Sequence, residues 1–293
     1  MTSTEPTAPL PIDPTAPITE YPESDELRRD LDEHGVLLLT FDRPERNNAW
    51  TYTLEDAYFG SLLAAANDPA VRAVVVTGAG RSFCPGLDLE ILERSARNGQ
   101  ASGMQRRWPM TTARLVPKPV IGAINGACAG IGFIHLASCD VAFASTTAKF
   151  TTSFARRGLP AENSLSWILP RLVGTAKAMD LLLSARVVLA DEARDLGLVT
   201  KVFEPDELLP ATLAYARDLA INCSPASMAH IKRQVLDDWD RSAEESRLRA
   251  LVLMSEMGAH PDFKEGVLSF QEKRPARFTG LDAHLHVARA INR

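Results

Sequence analysis

The chain is poor in the residues on which metal centres and disulfide scaffolds depend. Only four of its 293 residues are cysteines, and their separations match no zinc-binding motif. Sparse cysteines of this kind are typical of buried, reduced thiols. We therefore expect neither a disulfide nor a metal site.

Two further absences concern membranes and nucleic acids. No segment reaches the roughly 18 uninterrupted apolar residues of a membrane-spanning helix, and the first residues lack the basic and apolar regions of a signal peptide. The formal net charge of −5 argues against a broad electrostatic surface for nucleic acid. We expect a cytoplasmic protein that binds neither a membrane nor nucleic acid.

The residues that are present suit a globular enzyme, since 45% are hydrophobic and 24% are charged. Residues 1–25 carry six prolines among threonines and acids, which predicts a flexible tail. Over residues 26–207 strand and helix patterns alternate, which predicts an α/β core with parallel strand pairing. From 208 to 293 the pattern is almost wholly helical.

Local patterns place the individual elements. Short β-branched runs bounded by proline or glycine predict strands, and apolar residues at helical spacing predict helices. The predicted strands are 36–41, 71–77, 120–124 and 140–144, and the predicted helices include 53–66, 164–172 and one that begins at Phe133.

Two glycine-containing turns between a strand and a helix are the candidate binding loops. One spans residues 125–132, and the other follows the strand that ends at Thr77 and contains Pro85 and Gly86. Such turns leave main-chain N–H groups unpaired and let a ligand approach them closely. Each turn alone is most simply an ordinary connection. Together they could hold one oxygen that becomes anionic, as an oxyanion hole does.

The residues of these turns resemble a known family. The segments 82–89 (SFCPGLDL) and 124–132 (INGACAGIG), followed by Cys139 and Asp140, closely resemble the enoyl-CoA hydratase/isomerase (crotonase) family. The resemblance extends from about Val36 to Arg274. It implies a spiral of ββα units over 26–207 that carries an acyl-CoA site. It also implies a C-terminal helical segment that forms a homotrimer or homohexamer, and no cofactor, because coenzyme A is part of the substrate.

The resemblance assigns roles to the loop residues. The N–H groups of Leu87 and Ile131 would bind the thioester oxygen and stabilise an enolate, while Gly86, Asp88 and Gly130 flank them in the substrate-binding loops. Ile131 departs from the glycine usual at its position, but it still supplies an N–H. Side chains at the two donor positions matter less than their main chain.

Coenzyme A carries phosphates, so its site needs cations and main-chain donors. The segment 43–49 resembles the family's nucleotide-binding turn, with Arg46, Asn48 and Ala49 as its contacts. Phe270 and Lys273 match C-terminal residues that reach adenine or phosphate, often from a neighbouring subunit, although Lys273 could equally be a solvated charge. Glu90 stands where many relatives carry lysine, which would weaken phosphate binding.

The two glutamates of the family's hydratases are both absent. Their positions hold Ile134 and Phe154, which can neither deprotonate water nor protonate carbon. Glu162 matches the single acid of Δ3,Δ2-enoyl-CoA isomerases, and one carboxylate suffices to move a proton between C2 and C4. The alternative is that Glu162 merely offsets the dipole of the helix that follows.

These observations favour an isomerase that uses one acid. Hydration with Glu162 as the remaining carboxylate and a noncatalytic acyl-CoA-binding module stay open as alternatives. His135 on the second loop's helix is expected to be a packed core histidine, and Asp140 is expected to accept hydrogen bonds from backbone N–H groups.

Overall fold

A computed structural model describes residues 18–99 and 108–281, which form two β-sheets surrounded by helices. Within these ranges the strands are β1 (Leu27–Leu31), β2 (Val36–Phe41), β3 (Ala73–Gly78), β4 (Ser82–Cys84), β5 (Val120–Ile124), β6 (Ala127–Ala129), β7 (Val141–Ser145), β8 (Lys149–Thr151), β9 (Val188–Leu189) and β10 (Lys201–Phe203). The helices are α1 (Tyr52–Asn67), α2 (Leu89–Arg97), α3 (Ile131–Ser138), α4 (Leu165–Val173), α5 (Thr175–Ser184), α6 (Ala190–Leu196), α7 (Pro205–Asn222), α8 (Pro225–Asp237), α9 (Ala243–Gly258) and α10 (Pro261–Glu272).

The larger sheet has the strand order β1-β2-β3-β5-β7-β10. Only β1 runs antiparallel to its neighbour, which confirms the predicted α/β class with parallel pairing. Both faces of the sheet are covered, as parallel strands require. Val74 and Val76 of β3 face the main core with α1, whereas Val75 between them faces a second cluster with α7.

The smaller sheet, β4-β6-β8-β9, shows how the chain repeats. Each of β3, β5 and β7 is followed after a short turn by β4, β6 or β8, and then by a helix. The repeated unit is therefore ββα, which confirms the predicted spiral. The strands β4, β6 and β8 pair in parallel, so successive units stack in the same order in both sheets.

Most predicted elements are confirmed with small shifts at their ends. The strands β2 and β5 have the predicted bounds, and α1 and α4 differ from them by one residue at each end. The largest shift among the predicted helices is at α3, which begins at Ile131 and not at Phe133. Gly130 and Gly132 suggested a loop there, but Gly132 lies inside the helix against β4.

The predicted tail is corrected at its C-terminal end. Ile18 and Tyr21 pack against the main core, and the Tyr21 hydroxyl donates to the Asp68 carboxylate at 2.9 Å. Folded structure therefore begins before residue 26. The rest of that prediction, residues 1–17, and the last part of the C-terminal segment, residues 282–293, lie outside the described residues.

The C-terminal helices contact the core through one lysine in particular. The Lys232 ammonium on α8 donates to the carbonyls of Ala113 and Lys118 and to the Asp140 carboxylate at 2.7 Å. Asp140 also accepts from the Val120 N–H at 2.8 Å, which confirms its predicted backbone role. Among the described residues, no helix is long and apolar enough to cross a membrane.

Candidate active site

The pairing of β4 with β6 brings the two candidate turns together. Ser82 lies opposite Ala127 and Cys84 opposite Cys128, so the residues that follow each strand leave the small sheet side by side. Glycine makes this approach possible. A Cβ at Gly132 would overlap the Cys84 carbonyl oxygen, so any other residue there would push the two units apart.

The two turns contact each other at their glycines. Gly86 has φ of +115° and Gly130 has φ of +52°, both in the region that favours glycine. A Cβ at Gly130 would lie 3.9 Å from the Cα of Gly86. The residue after each glycine is the predicted donor, so the main chain of Leu87 and that of Ile131 start from adjacent points.

The N–H groups of both predicted donors are available. Within residues 18–99 and 108–281, neither Leu87 nor Ile131 donates its N–H to another protein atom. Ile131 is the first residue of α3, so its N–H points out of the helix end, where the partial positive charge of the dipole is concentrated. Paired amides of this kind suit an oxygen that gains negative charge.

The surroundings of α3 are apolar. All eight of its residues are buried, and Gly130 at its N-cap provides no side-chain cap. Ile134 is 0% exposed and Phe154 is 5% exposed, so the two positions of the hydratase glutamates belong to the core. His135 is buried among four rings, which confirms the predicted core histidine: those of Phe41, Trp50, Tyr58 and Phe59.

Glu162 lies half-buried in the segment that leads into α4, a helix that packs against α3. The N-cap of α4 is Ser164, so Glu162 precedes the first turn of the helix. Glu162 is therefore outside the first turn itself, although it lies close to the N-terminus of α4. Asn163 and Ser164 both have positive φ, +51° and +62°, which is uncommon for two consecutive residues that are not glycine. Backbone strain of this kind is concentrated at functional sites.

Asp88 joins the first turn to a charged cluster. Its buried carboxylate accepts from the Glu90 N–H, which caps α2, and contacts the guanidinium groups of Arg43 and Arg46, each at 3.3 Å. Burial alone would raise the pKa of Asp88, but these hydrogen bonds outweigh it and hold the pKa below its ordinary value. Asp88 is therefore a charged anchor for the turn.

Arg46, the predicted cation for a phosphate, is already shared by two carboxylates. It contacts Glu90 at 2.9 Å as well as Asp88, and these hydrogen bonds raise its pKa. Its side chain is 44% exposed, so it remains accessible to a ligand. The structure thus places Arg46, Asp88 and Glu90 together, and any phosphate would compete with Glu90.

Asn48 and Ala49 form hydrogen bonds that hold the segment 43–49 in place beside the first turn. The Asn48 side chain is fully buried, accepts from the Arg43 N–H and donates to the carbonyls of Ala79 and Ser82. This amide fastens the segment 43–49 to the chain between β3 and β4. Its side chain is thereby withdrawn from solvent, whereas Ala49 is partly exposed and its carbonyl accepts from Arg43.

Phe270 and Lys273 lie on the surface at the C-terminal end of α10. Phe270 is 86% exposed, and Lys273 is the left-handed C-cap of the helix with φ of +53°. Both side chains are thus accessible to a ligand or to a neighbouring subunit. Their predicted coenzyme A contacts stay predictions.

The sequence did not single out Trp50 or Arg43, although both contact the first turn. Trp50 pairs with Leu87 as a parallel β-bridge, and Arg43 links Asp88 to Glu26. The local signal was their position, since Arg43 begins the segment 43–49 and Trp50 directly follows it. Their partners are distant in the sequence, so no local pattern could reveal these contacts.

The sequence of the chain matches a known protein family. Residues 32–281 match the enoyl-CoA hydratase/isomerase family. The 1,2-epoxyphenylacetyl-CoA isomerase of Escherichia coli is 31% identical over 85% of this chain and 96% of its own. Enoyl-CoA hydratase ACTT3 of Alternaria alternata is 31% identical over 84% of each chain.

A solved structure is also similar to this chain, both in sequence and in fold. An enoyl-CoA hydratase from Mycobacterium marinum is 45% identical, covers 74% of this chain and all of its own, and superimposes with a TM-score of 0.64. The family match over residues 32–281 includes both turns. The chain belongs to the enoyl-CoA hydratase/isomerase family, and it is an enzyme of that family.

Proposed function

We propose that the protein isomerises the double bond of an enoyl-CoA thioester, with the N–H groups of Leu87 and Ile131 as the oxyanion hole and Glu162 as the single acid and base. The observation that carries the proposal is the pair of unoccupied amide donors on two turns that contact each other. Donors that are fixed before the reaction stabilise an enolate without reorganisation, and losing one costs about 3 kcal/mol in the transition state.

The proton transfer needs one carboxylate. Glu162 takes a proton from C2 of a 3-enoyl thioester, the electrons move onto the thioester oxygen, and the same carboxyl returns the proton to C4. The product is the conjugated 2-enoyl thioester, and no atom is gained or lost. Isomerisation is favoured over hydration because Ile134 and Phe154 are buried apolar residues at the hydratase glutamate positions.

The substrate is an acyl-CoA thioester, and coenzyme A enters as part of it, with no separate cofactor. Arg46 and the main chain near Ala49 lie beside the first turn and would contact its phosphates. The Escherichia coli relative is named for a 1,2-epoxyphenylacetyl thioester, so an aryl epoxide belongs in any substrate panel. The proposal leaves the length of the acyl chain open.

The test compares two thioesters of the same chain length. Formation of conjugated thioester from 3-hexenoyl-CoA reports isomerisation, and its loss from 2-hexenoyl-CoA reports hydration. We expect the first reaction to be the faster one. In the variant Glu162→Gln its kcat should fall about 100-fold or more, because the amide cannot accept the proton.

The matched control is Glu207→Gln, which removes an exposed carboxylate in the first turn of α7. It should keep the wild-type kcat. Equal activity of wild type and Glu162→Gln would contradict the role of Glu162, and faster hydration than isomerisation would contradict the reaction. Tight coenzyme A binding without turnover of any panel member would support a noncatalytic binder instead.

We also propose that copies of the chain associate through the C-terminal helices as a trimer or hexamer in the cytoplasm. Nine large apolar residues on α8, α9 and α10 are more than 40% exposed: Ile231, Val235, Leu248, Leu251, Val252, Met254, Phe263, Val267 and Phe270. Exposed apolar area of this extent is typical of an interface. Sedimentation equilibrium would give the mass, and Leu251→Asp should reduce it to that of a monomer.

A further inference from the structure

Trp50 contacts both halves of the candidate oxyanion hole. Its backbone N–H donates to the Gly86 carbonyl at 2.8 Å, and its carbonyl accepts from the Asp88 N–H at 2.9 Å. These two bonds lie on either side of Leu87 and fix the peptide units before and after it. In a parallel bridge of this kind the N–H of Leu87 itself points to the side away from Trp50.

The side chain of Trp50 reaches the other half. Its ring lies against the ring of His135, with centroids 4.2 Å apart. His135 belongs to α3, one helical turn after Ile131, so its ring moves with the helix that presents the second donor. One residue thus connects Leu87 through its backbone and Ile131 through its ring.

The indole is itself held rigidly. Trp50 is 0% exposed, and its ring N–H donates at 3.0 Å to the carboxylate of Glu55, which is buried in α1. Phe41 and Tyr58 pack on it edge to face, with centroids 5.5 and 5.8 Å away. A ring with a fixed hydrogen bond and packed neighbours has one orientation available, which is the requirement for holding other groups in place.

We propose that Trp50 is a positioning residue that sets the distance and angle between the two oxyanion donors, an inference that rests on the proposed function. Donors act on a developing oxyanion when they are about 2.7 to 3.1 Å from it, and a displacement of about 1 Å can cost about 100-fold in rate. Trp50 contacts no substrate atom in this role. It acts through Leu87 and Ile131.

The test replaces Trp50 by phenylalanine and compares it with Phe59→Leu. Phe59 is equally buried and packs in the same aromatic cluster, with its ring 6.1 Å from Trp50. Its ring lies 5.8 Å from His135, farther than the 4.2 Å of Trp50, and a phenyl ring cannot donate to Glu55 as the indole does. Both variants lose apolar volume from one cluster, so both should lower Tm. Trp50→Phe keeps the backbone bonds to Gly86 and Asp88 but loses the indole bond to Glu55 and shrinks the ring against His135, so it should displace the Ile131 donor relative to the Leu87 donor.

The decisive readout is the carbonyl stretch of bound butanoyl-CoA labelled with carbon-13 at the thioester carbonyl. This saturated thioester has no double bond to move, so the spectrum reports polarisation by the donors alone. We expect wild type and Phe59→Leu to shift the stretch to lower frequency and Trp50→Phe to lose half of the shift or more. The kcat for 3-hexenoyl-CoA should fall about tenfold to 100-fold with little change in KM.

The outcomes separate the two proposals. If wild type produces no shift, the oxyanion hole of the proposed function fails. If wild type produces the shift and Trp50→Phe keeps it in full, the positioning role alone is overturned, as it is if Phe59→Leu loses the same fraction. If Trp50→Phe does not fold, Trp50→Tyr is measured in the same way, because its side chain is larger than that of phenylalanine and also lacks the indole N–H.

Discussion

The two turns of the candidate site present the same chemical group but are held by different forces. The turn at Leu87 lies near the surface, begins a helix with no buried residue, and is anchored by the buried carboxylate of Asp88 between two arginines. The turn at Ile131 begins a helix whose residues are all buried, and in the part of the chain that the structure describes no ion pair involves residues 125–132. One donor is held by electrostatics and the other by packing.

This difference predicts which changes would displace each donor. Charge pairs at a partly exposed site respond to salt and pH, whereas a close-packed helix responds to volume. Substitutions that change one kind of force should therefore affect one turn and leave the other in place.

The largest effect is expected from Gly132→Ala in the packed turn. Its new methyl group would overlap the Cys84 carbonyl oxygen and separate α3 from β4. We expect a loss of about 3 kcal/mol or more in the free energy of unfolding, measured by urea denaturation, because the overlapping atom is a backbone oxygen and not the end of a flexible side chain.

Gly258→Ala is the matched control for that change. Gly258 is the last residue of α9, and nothing lies within 4 Å of a Cβ built on it. Its replacement should leave stability unchanged or raise it by about 0.5 kcal/mol, since alanine favours a helix more than glycine does. An equal loss in both variants would contradict the importance of the close approach at Gly132.

A smaller effect is expected from Asp88 in the charged turn. Asp88→Ala removes the N-cap of α2 and leaves Arg43 and Arg46 without one carboxylate, at a cost of about 2 kcal/mol. Asp88→Asn keeps an acceptor for the Glu90 N–H and should cost about half as much.

The contribution of Asp88 to the free energy of unfolding should depend on pH. The pKa of Asp88 is lower in the folded state than its ordinary value of 3.8, so its contribution is complete above that value and is lost as the pH falls through the folded-state pKa. The difference in unfolding free energy between wild type and Asp88→Ala should therefore be constant from pH 7 to about pH 5 and shrink below about pH 4. A difference that grows on acidification would exclude this account.

The smallest effect is expected from Glu90→Gln, a change in the charged cluster beside the first turn. Removing this carboxylate frees Arg46 from one partner and should tighten coenzyme A binding about two- to fivefold, measured by calorimetry at low salt. Glu93→Gln on the same helix removes the partner of Arg97 and should leave the affinity unchanged. Equal affinities in wild type and Glu90→Gln would argue against a phosphate contact by Arg46.

Features that depend on local composition could be predicted from the sequence. The strand β5 is a short β-branched run after Pro119, and both turns were located from their glycines because few other residues adopt these conformations. The start of α3 was missed because Gly132 looks like a loop residue until its contact with β4 is known.

Features that depend on distant partners could not be predicted. The contact of Arg46 with Glu90 joins residues 44 positions apart, and nothing local indicates that a predicted phosphate ligand is already paired. The dual contact of Trp50 likewise depends on how β4 and α3 meet. The packing of Ile18 and Tyr21 was missed because the prolines around them favour an extended chain whether or not it docks.

Lys232 has a consequence for how the molecule unfolds. Its ammonium binds two carbonyls just before β5 and the carboxylate that also caps the start of that strand. Detaching α8 would leave these partly buried acceptors without their donor, so α8 and the strand leading to the Ile131 turn should open as one cooperative unit. Amide hydrogens of β5 and of α8 should then exchange with solvent at a common rate.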